Sequence, residues 1–320
     1  MSIASGWANM GWHSWTDLSA VRARLDAGAN PNGEPGEWTP LHDAAERGTP
    51  EVVAELARLT SNVDAFYDGR TALWNAVQAD RADNARVLLR AGADPWLSMM
   101  DGWSPARLSL VTKTPDLFDA PASLLTAEER AAVTEAPRLI EAVSDIYGEG
   151  LSVCCVSGID AQEAVRRLQA TVFVPEEGEI DDEYGYDIDD GSLEVLGITT
   201  VPGGTLVCQP WAFGASRPVV SLLLSAGTHC YAMYANPKSG NQGSLVRDGA
   251  IVGWDLHPGG GWSREGDDAS EILRMYLYRG HALAYCCAAA GLAPQDNRPF
   301  AYEPGLWARL PSRDYWATTL

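Results

Sequence analysis

An α+β molecule, with an all-α stack of helix-pair repeats first and an α+β domain after it, is the architecture the sequence predicts. Three observations carry this expectation. Gly36, Gly69 and Gly102 mark a 33-residue period, the texture changes near Gly150 to short apolar runs separated by turn residues, and 320 residues are enough for two cores. The expected division is residues 1–118 for the repeats, 119–149 for a connector and capping helix, and 150–320 for a domain whose mainly antiparallel sheet carries flanking helices.

The period is visible in related phrases, GEWTPLHDAAERG, GRTALWNAVQAD and GWSPARLSLV, and in the endings LDAGANPN and LLRAGADPW. Thr39 is expected to cap a helix, Pro40 is tolerated in its first turn where no amide partner is lost, and Ala44 and Ala45 let two helices approach closely. Gly28 and Gly92 stand where a helix must end in a left-handed residue. Helix pairs of this kind cannot bury their faces alone, so they stack.

The phrase TPLHDAAERG, with its second helix and the G-A-D ending, resembles the ankyrin repeat. Thr39, Pro40, Leu41, His42, Ala44, Ala45 and Gly48 hold the signature positions in one unit, and Thr71, Leu73 and Ala76 hold them in the next. Trp74 and Arg107 replace the histidine, Asp80 replaces Gly48, and Thr60 replaces a terminating glycine. The first unit keeps only its second helix and the fourth stops near Val111, which makes two full repeats between two degenerate ones. His42, placed at the start of a repeat helix, is expected to tie turn to helix rather than to work as an acid or base. The resemblance implies a protein-binding scaffold.

After a proline-containing connector at 112–125, Thr126 and Glu129 form a capping box for a helix that Pro137 is expected to kink or split. Beyond Gly150, LSVCCVS, LEVLGITTV, TLVCQPWAF, PVVSLLLS and HCYAMYAN read as strands, Asp160 opens a helix, and Asp248 and Gly249 join the clearest hairpin. A single long helix is expected over SEILRMYLYRGHALAYCCAAAG. The segment order from about 150 to 265 resembles an actinobacterial domain family of unknown function that often follows ankyrin repeats; that resemblance supplies no site residues.

With 23 basic against 43 acidic side chains the net charge is −20, which repels phosphate backbones and anionic lipid. Neither nucleic-acid nor membrane binding is expected. The N-terminal stretch lacks the pattern of a signal peptide and no apolar run is long enough to span a bilayer, so a cytoplasmic protein is the expectation. The adjacent pairs Cys154/Cys155 and Cys286/Cys287 sit in apolar runs and read as buried thiols. The stretch EEGEIDDEYGYDIDD holds nine carboxylates in fifteen residues and reads as a solvated loop, since an EF-hand register that puts Gly191 sixth puts Tyr186 first.

Asp255 and His257, in WDLHPGGGW, are the best catalytic candidates in the sequence, as an acid/base alternative. No nucleophile elbow or phosphate loop occurs. His229 and His281 lie in apolar surroundings and are expected to be core histidines. No cofactor and no metal are expected. Trp38, Tyr67, Arg70 and Trp103, near the repeat turns, are nominated for partner binding, although the tryptophans serve equally to fill gaps left by missing consensus residues. The reading is a non-enzymatic interaction or scaffold protein, in a specific version an immunity or regulatory protein whose acidic loop at 176–190 covers a basic partner surface. The alternative is an enzyme or small-molecule binder with its site around Asp255 and His257.

Overall fold

The computed structural model describes residues 6–34, 38–146, 148–177, 180 and 191–319. Most of the acidic stretch at 176–190 lies outside the described residues. The chain forms two compact units, one running to Ala131 and including Ser263–Leu273, the other comprising Ala132–Trp262 and Arg274–Leu320.

The first unit is helical. A 3-10 turn at Trp12–Thr16 leads to α1 (Leu18–Asp26), followed by the pairs α2 (Pro40–Arg47) and α3 (Pro50–Leu59), then α4 (Ala72–Gln78) and α5 (Ala82–Arg90), and by the short α6 (Pro105–Ser109). Gly28 and Gly92 take φ of 92° and 96°, the left-handed exits expected of them. Leu41, Ala44, Ala45, Val53, Leu56, Leu73, Ala76 and Leu88 are sealed in the core. Gly48 is not left-handed; its φ is −80°, and a Cβ there would meet the Ala44 carbonyl oxygen at 2.6 Å, so close packing demands the glycine. Asn84 locks successive repeats by donating Nδ2–H to the carbonyls of Ala44, Ala45 and Gly48 at 3.3, 3.0 and 3.1 Å.

Two tight turns project from the stack at the repeat interval. Tyr67 and Arg70 exchange backbone hydrogen bonds of 2.9 and 3.0 Å across Asp68 and Gly69, both at positive φ. Asp101 and Gly102 repeat the conformation one period later, where the Met99 amide donates to the Trp103 carbonyl at 2.7 Å. Positive φ at both central residues defines the I′ turn that Asp-Gly favours. The capping box forms: the Thr126 amide bonds Glu129 Oε2 at 2.8 Å and the Glu129 amide bonds Thr126 Oγ1 at 3.1 Å. The helix it opens, α7 (Ala127–Ala142), runs through Pro137 without splitting. Pro137 is exposed, with Ala136 and Leu139 buried beside it, so packing of the other face holds the helix together.

The second unit is built on one eight-stranded sheet in the order β2-β8-β3-β4-β1-β5-β6-β7, with every pairing antiparallel. The strands are β1 (Ser152–Ser157), β2 (Thr171–Phe173), β3 (Val195–Val201), β4 (Gly204–Gln209), β5 (His229–Asn236), β6 (Gly240–Arg247), β7 (Ala250–Leu256) and β8 (Leu306–Arg309). β2 and β8 are short and fall where the sequence reading places no strand. Central β1 feeds both cores because alternate side chains face opposite ways. Val153 and Cys155 pack with α11 (Ala282–Ala289), while Cys154 and Val156 pack with α8 (Ala161–Leu168) and α9 (Pro218–Leu224). The adjacent cysteines therefore point apart, and all six thiols are free and buried.

Two expectations fail here. PVVSLLLS is helix α9, not a strand: Pro218 sits at the first helical position, and an apolar run buried on every side carries no period to separate helix from strand. The long C-terminal helix is two, α10 (Ala269–Leu277) and α11, because Gly280 turns left-handed at φ 80° and donates its amide to the Gly259 carbonyl at 2.7 Å. His229 and His281 also depart from expectation, His229 being half-buried on a strand and His281 exposed at the start of α11.

Candidate functional site

The repeat turns bring three of the nominated residues together. Trp38 lies 4.9 Å from the His42 ring and 5.2 Å from the Tyr67 ring, the latter perpendicular, and the Arg70 guanidinium sits 5.0 Å from its centroid. Trp38 and Tyr67 are half-buried and accessible, whereas Arg70 is buried. Arg70 reaches Asp68 Oδ2 at 3.5 Å, but its Nε and Nη1 lie buried without a hydrogen-bond partner. Trp103 stands apart from this cluster and is fully buried, with the Arg107 guanidinium 4.4 Å above its ring and Arg107 paired to Glu129 at 2.7 Å. It fills the end of the stack.

His42 organises the cluster from below. The Arg70 carbonyl can only accept, so Nε2–H of His42 donates to it at 3.2 Å, which leaves Nδ1 to accept from the Thr39 hydroxyl at 2.7 Å. Thr39 therefore spends its hydroxyl on the ring and makes no side-chain cap, contrary to expectation, while Thr71 in the next repeat does cap by accepting from the Trp74 amide at 3.2 Å. Burial pushes the His42 pKa down to about 4, keeping the ring neutral. Burial raises the carboxyl pKa values of Asp43 and Glu46, against the pull of Arg47, which pairs with both at 3.0 Å.

The turns also hold a segment of the chain that sequence reasoning missed. Ser263 is fully buried and donates Oγ–H to Gln78 Oε1 at 3.2 Å, an oxygen that also accepts from Trp74 Nε1 at 2.8 Å. The Glu265 amide donates to the Asp68 carbonyl at 3.2 Å, and the Ala269 amide to Asp101 Oδ2 at 2.7 Å. A Cβ on Gly69 would meet Met100 Cγ at 2.9 Å and the Glu265 nitrogen at 3.2 Å. Residues 263–269 thus strap two successive turns. Nothing in the polar phrase SREGDDA announces this, because backbone amides make most of the contacts.

Asp255 and His257 are not brought together. His257 is exposed and its Nδ1 bonds the Asn241 carbonyl at 2.9 Å, whereas the Asp255 side chain makes neither a hydrogen bond nor an ion pair among the described residues. Instead, Asp255 borders a cleft of about 570 Å³ in the second unit, together with Trp254, Phe213, Tyr234, Trp316 and Lys238. The pairing of β6 with β7 explains the placement: Gly243 faces Leu256 while Leu245 faces Gly253, so β7 carries an extra residue, and Asp255 sits at φ 54°. A bulge breaks the alternation, which lets the adjacent Trp254 and Asp255 line one cavity.

Among the described residues no group of three or more histidine, cysteine, aspartate or glutamate side chains is placed to hold a metal ion, and no helix is long and apolar enough to cross a membrane.

The family described as ankyrin repeats, in three copies, matches residues 13–99. The helical first unit is accordingly similar to ankyrin repeats, which generally mediate binding to protein partners. A search of curated proteins finds no match to the chain.

Proposed function

We propose that this chain is an interaction protein whose repeat turns hold a protein partner through Trp38 and Tyr67. The observation that carries the reading is the three-copy repeat over residues 13–99, with its accessible aromatic pair beside the first described turn. Arg70 and Trp103 support that face from within: one stacks under Trp38 and the other fills the stack. The strap at 263–269 already engages the turns at Asp68 and Asp101, which directs a partner to the Trp38 end. The partner class is a basic protein, as the net charge of −20 favours by long-range attraction, and the role is regulatory, of the immunity kind in which one protein restrains another. Six unpaired thiols suit a reducing compartment, and we place the protein in the cytoplasm.

The test uses the full chain immobilised against a cell lysate. Wild-type protein is expected to retain a stoichiometric partner that salt releases, and the Trp38→Ala/Tyr67→Ala variant to lose at least about tenfold in affinity, roughly 1.4 kcal/mol, while circular dichroism shows it still folded at the temperature of the assay. Equal retention by both proteins, or retention by neither, overturns the reading.

A further inference from the structure

The cleft beside β7 has the chemistry of a ligand site and does not depend on the repeat reading. Its floor is low because Ala232 and Ser244, paired across β5 and β6, are small, and α9, only seven residues long, begins at Pro218 on its margin. Phe213 forms one wall, 5.8 Å from Tyr234 edge-on and 5.6 Å from Trp316. Trp316 is held at the mouth by its neighbour Tyr315, which is buried under the Arg217 guanidinium at 4.2 Å and donates its hydroxyl to the Pro311 carbonyl at 2.8 Å. Opposite charges complete the lining: Asp255 on the bulge and Lys238 on the β5–β6 turn, neither of them in an ion pair among the described residues.

Trp254 and Trp316 are 58% and 60% exposed, a costly state for two large rings unless something covers them. Aromatic faces attract cations, most strongly when a carboxylate stands beside them. Aspartate tolerates the left-handed backbone that the bulge imposes at φ 54°, and the bulge sets Asp255 beside Trp254 on the lining of the cleft. Lys238 rules against a simple cation and asks for an anionic group on the same molecule.

We propose that this cleft binds a small zwitterion, its alkylated ammonium head among the four rings against Asp255 and its anionic tail toward Lys238. The volume of about 570 Å³ accommodates a metabolite of that size together with water.

Titration calorimetry on the full chain tests this with glycine betaine and carnitine as zwitterions, tetramethylammonium as the head alone, and 3,3-dimethylbutyrate as a neutral-headed isostere that keeps the carboxylate. At least one zwitterion is expected to bind saturably, and the isostere about tenfold more weakly or not at all. Asp255→Asn, which tolerates the left-handed backbone while removing the charge, is expected to weaken zwitterion binding about tenfold, as is Trp254→Ala. Lys238→Gln is expected to weaken the zwitterion and leave tetramethylammonium unchanged. Absence of saturable binding by both zwitterions, equal binding of the isostere to the wild-type chain, or an Asp255→Asn variant that melts and binds like wild type overturns the proposal. Failure here leaves the Trp38 and Tyr67 result untouched, and the reverse holds as well.

Discussion

His42 shows how much one residue carries. Its two ring nitrogens join the helix start at Thr39 to the next turn at Arg70, so His42→Ala removes two buried hydrogen bonds and is expected to cost about 2 kcal/mol, read as a lower melting temperature. The depressed pKa adds a pH dependence. Below the usual 6.5 the unfolded chain takes up a proton that the folded ring refuses until about pH 4, so stability falls across that window by roughly 3 kcal/mol in full. Half-buried Asp43 and buried Glu46 act in the opposite sense, since raised carboxyl pKa values favour the folded state as the pH drops. The quantity to measure is therefore the difference between wild type and His42→Ala: the gap in stability is expected to close and then reverse as the solution is acidified from pH 7 to 4, because the linked loss exceeds the cost of the substitution. A constant gap would show that the ring takes up its proton equally in both states. The structural role of this histidine was legible in the sequence from TPL before it and AA after it. Its partner at Arg70 was not, because a bond to a backbone carbonyl 28 residues away leaves no mark in residue identity.

Elements were legible in proportion to their pattern. The repeat helices, β1, β5 and the Asp248–Gly249 hairpin carry a period or a turn signal, and they appear where expected. α9 carries neither, since a run buried on all sides looks the same as helix or strand until its neighbours are known. β2 and β8 have three and four residues, too few for alternation to register. The bulges of β7 were equally hidden, and with them the reason Asp255 parts from His257. Between elements, Asn84 makes the sharpest prediction. Buried, with its two amide hydrogens shared among three carbonyls, it is expected to cost about 2 kcal/mol on replacement by alanine, because the Ala45 and Gly48 carbonyls lose a buried donor while only Ala44 keeps the Gly48 amide. A chemical-denaturation midpoint matching wild type would contradict this.

At the scale of the whole molecule, the expectation of an N-terminal repeat region followed by an α+β region with an antiparallel sheet agrees with the structure, while the strap at 263–269 lay beyond sequence reasoning. Its contribution can be isolated in the intact chain. Glu265→Pro deletes the amide that bonds Asp68, and hydrogen exchange at Tyr67–Arg70 and Met99–Trp103 is expected to quicken while β1 and β4 keep their protection. Unchanged exchange at the turns would show that the strap does not hold them.

The same strap sets an order of events during synthesis. The helical stack leaves the ribosome long before the residues that tie down its turns, and those residues arrive only after seven strands of the sheet have been made. For that interval the Asp68 carbonyl and the Asp101 carboxylate lack the amides that hold them in the finished protein, and the two turns must keep their shape through their own hydrogen bonds alone.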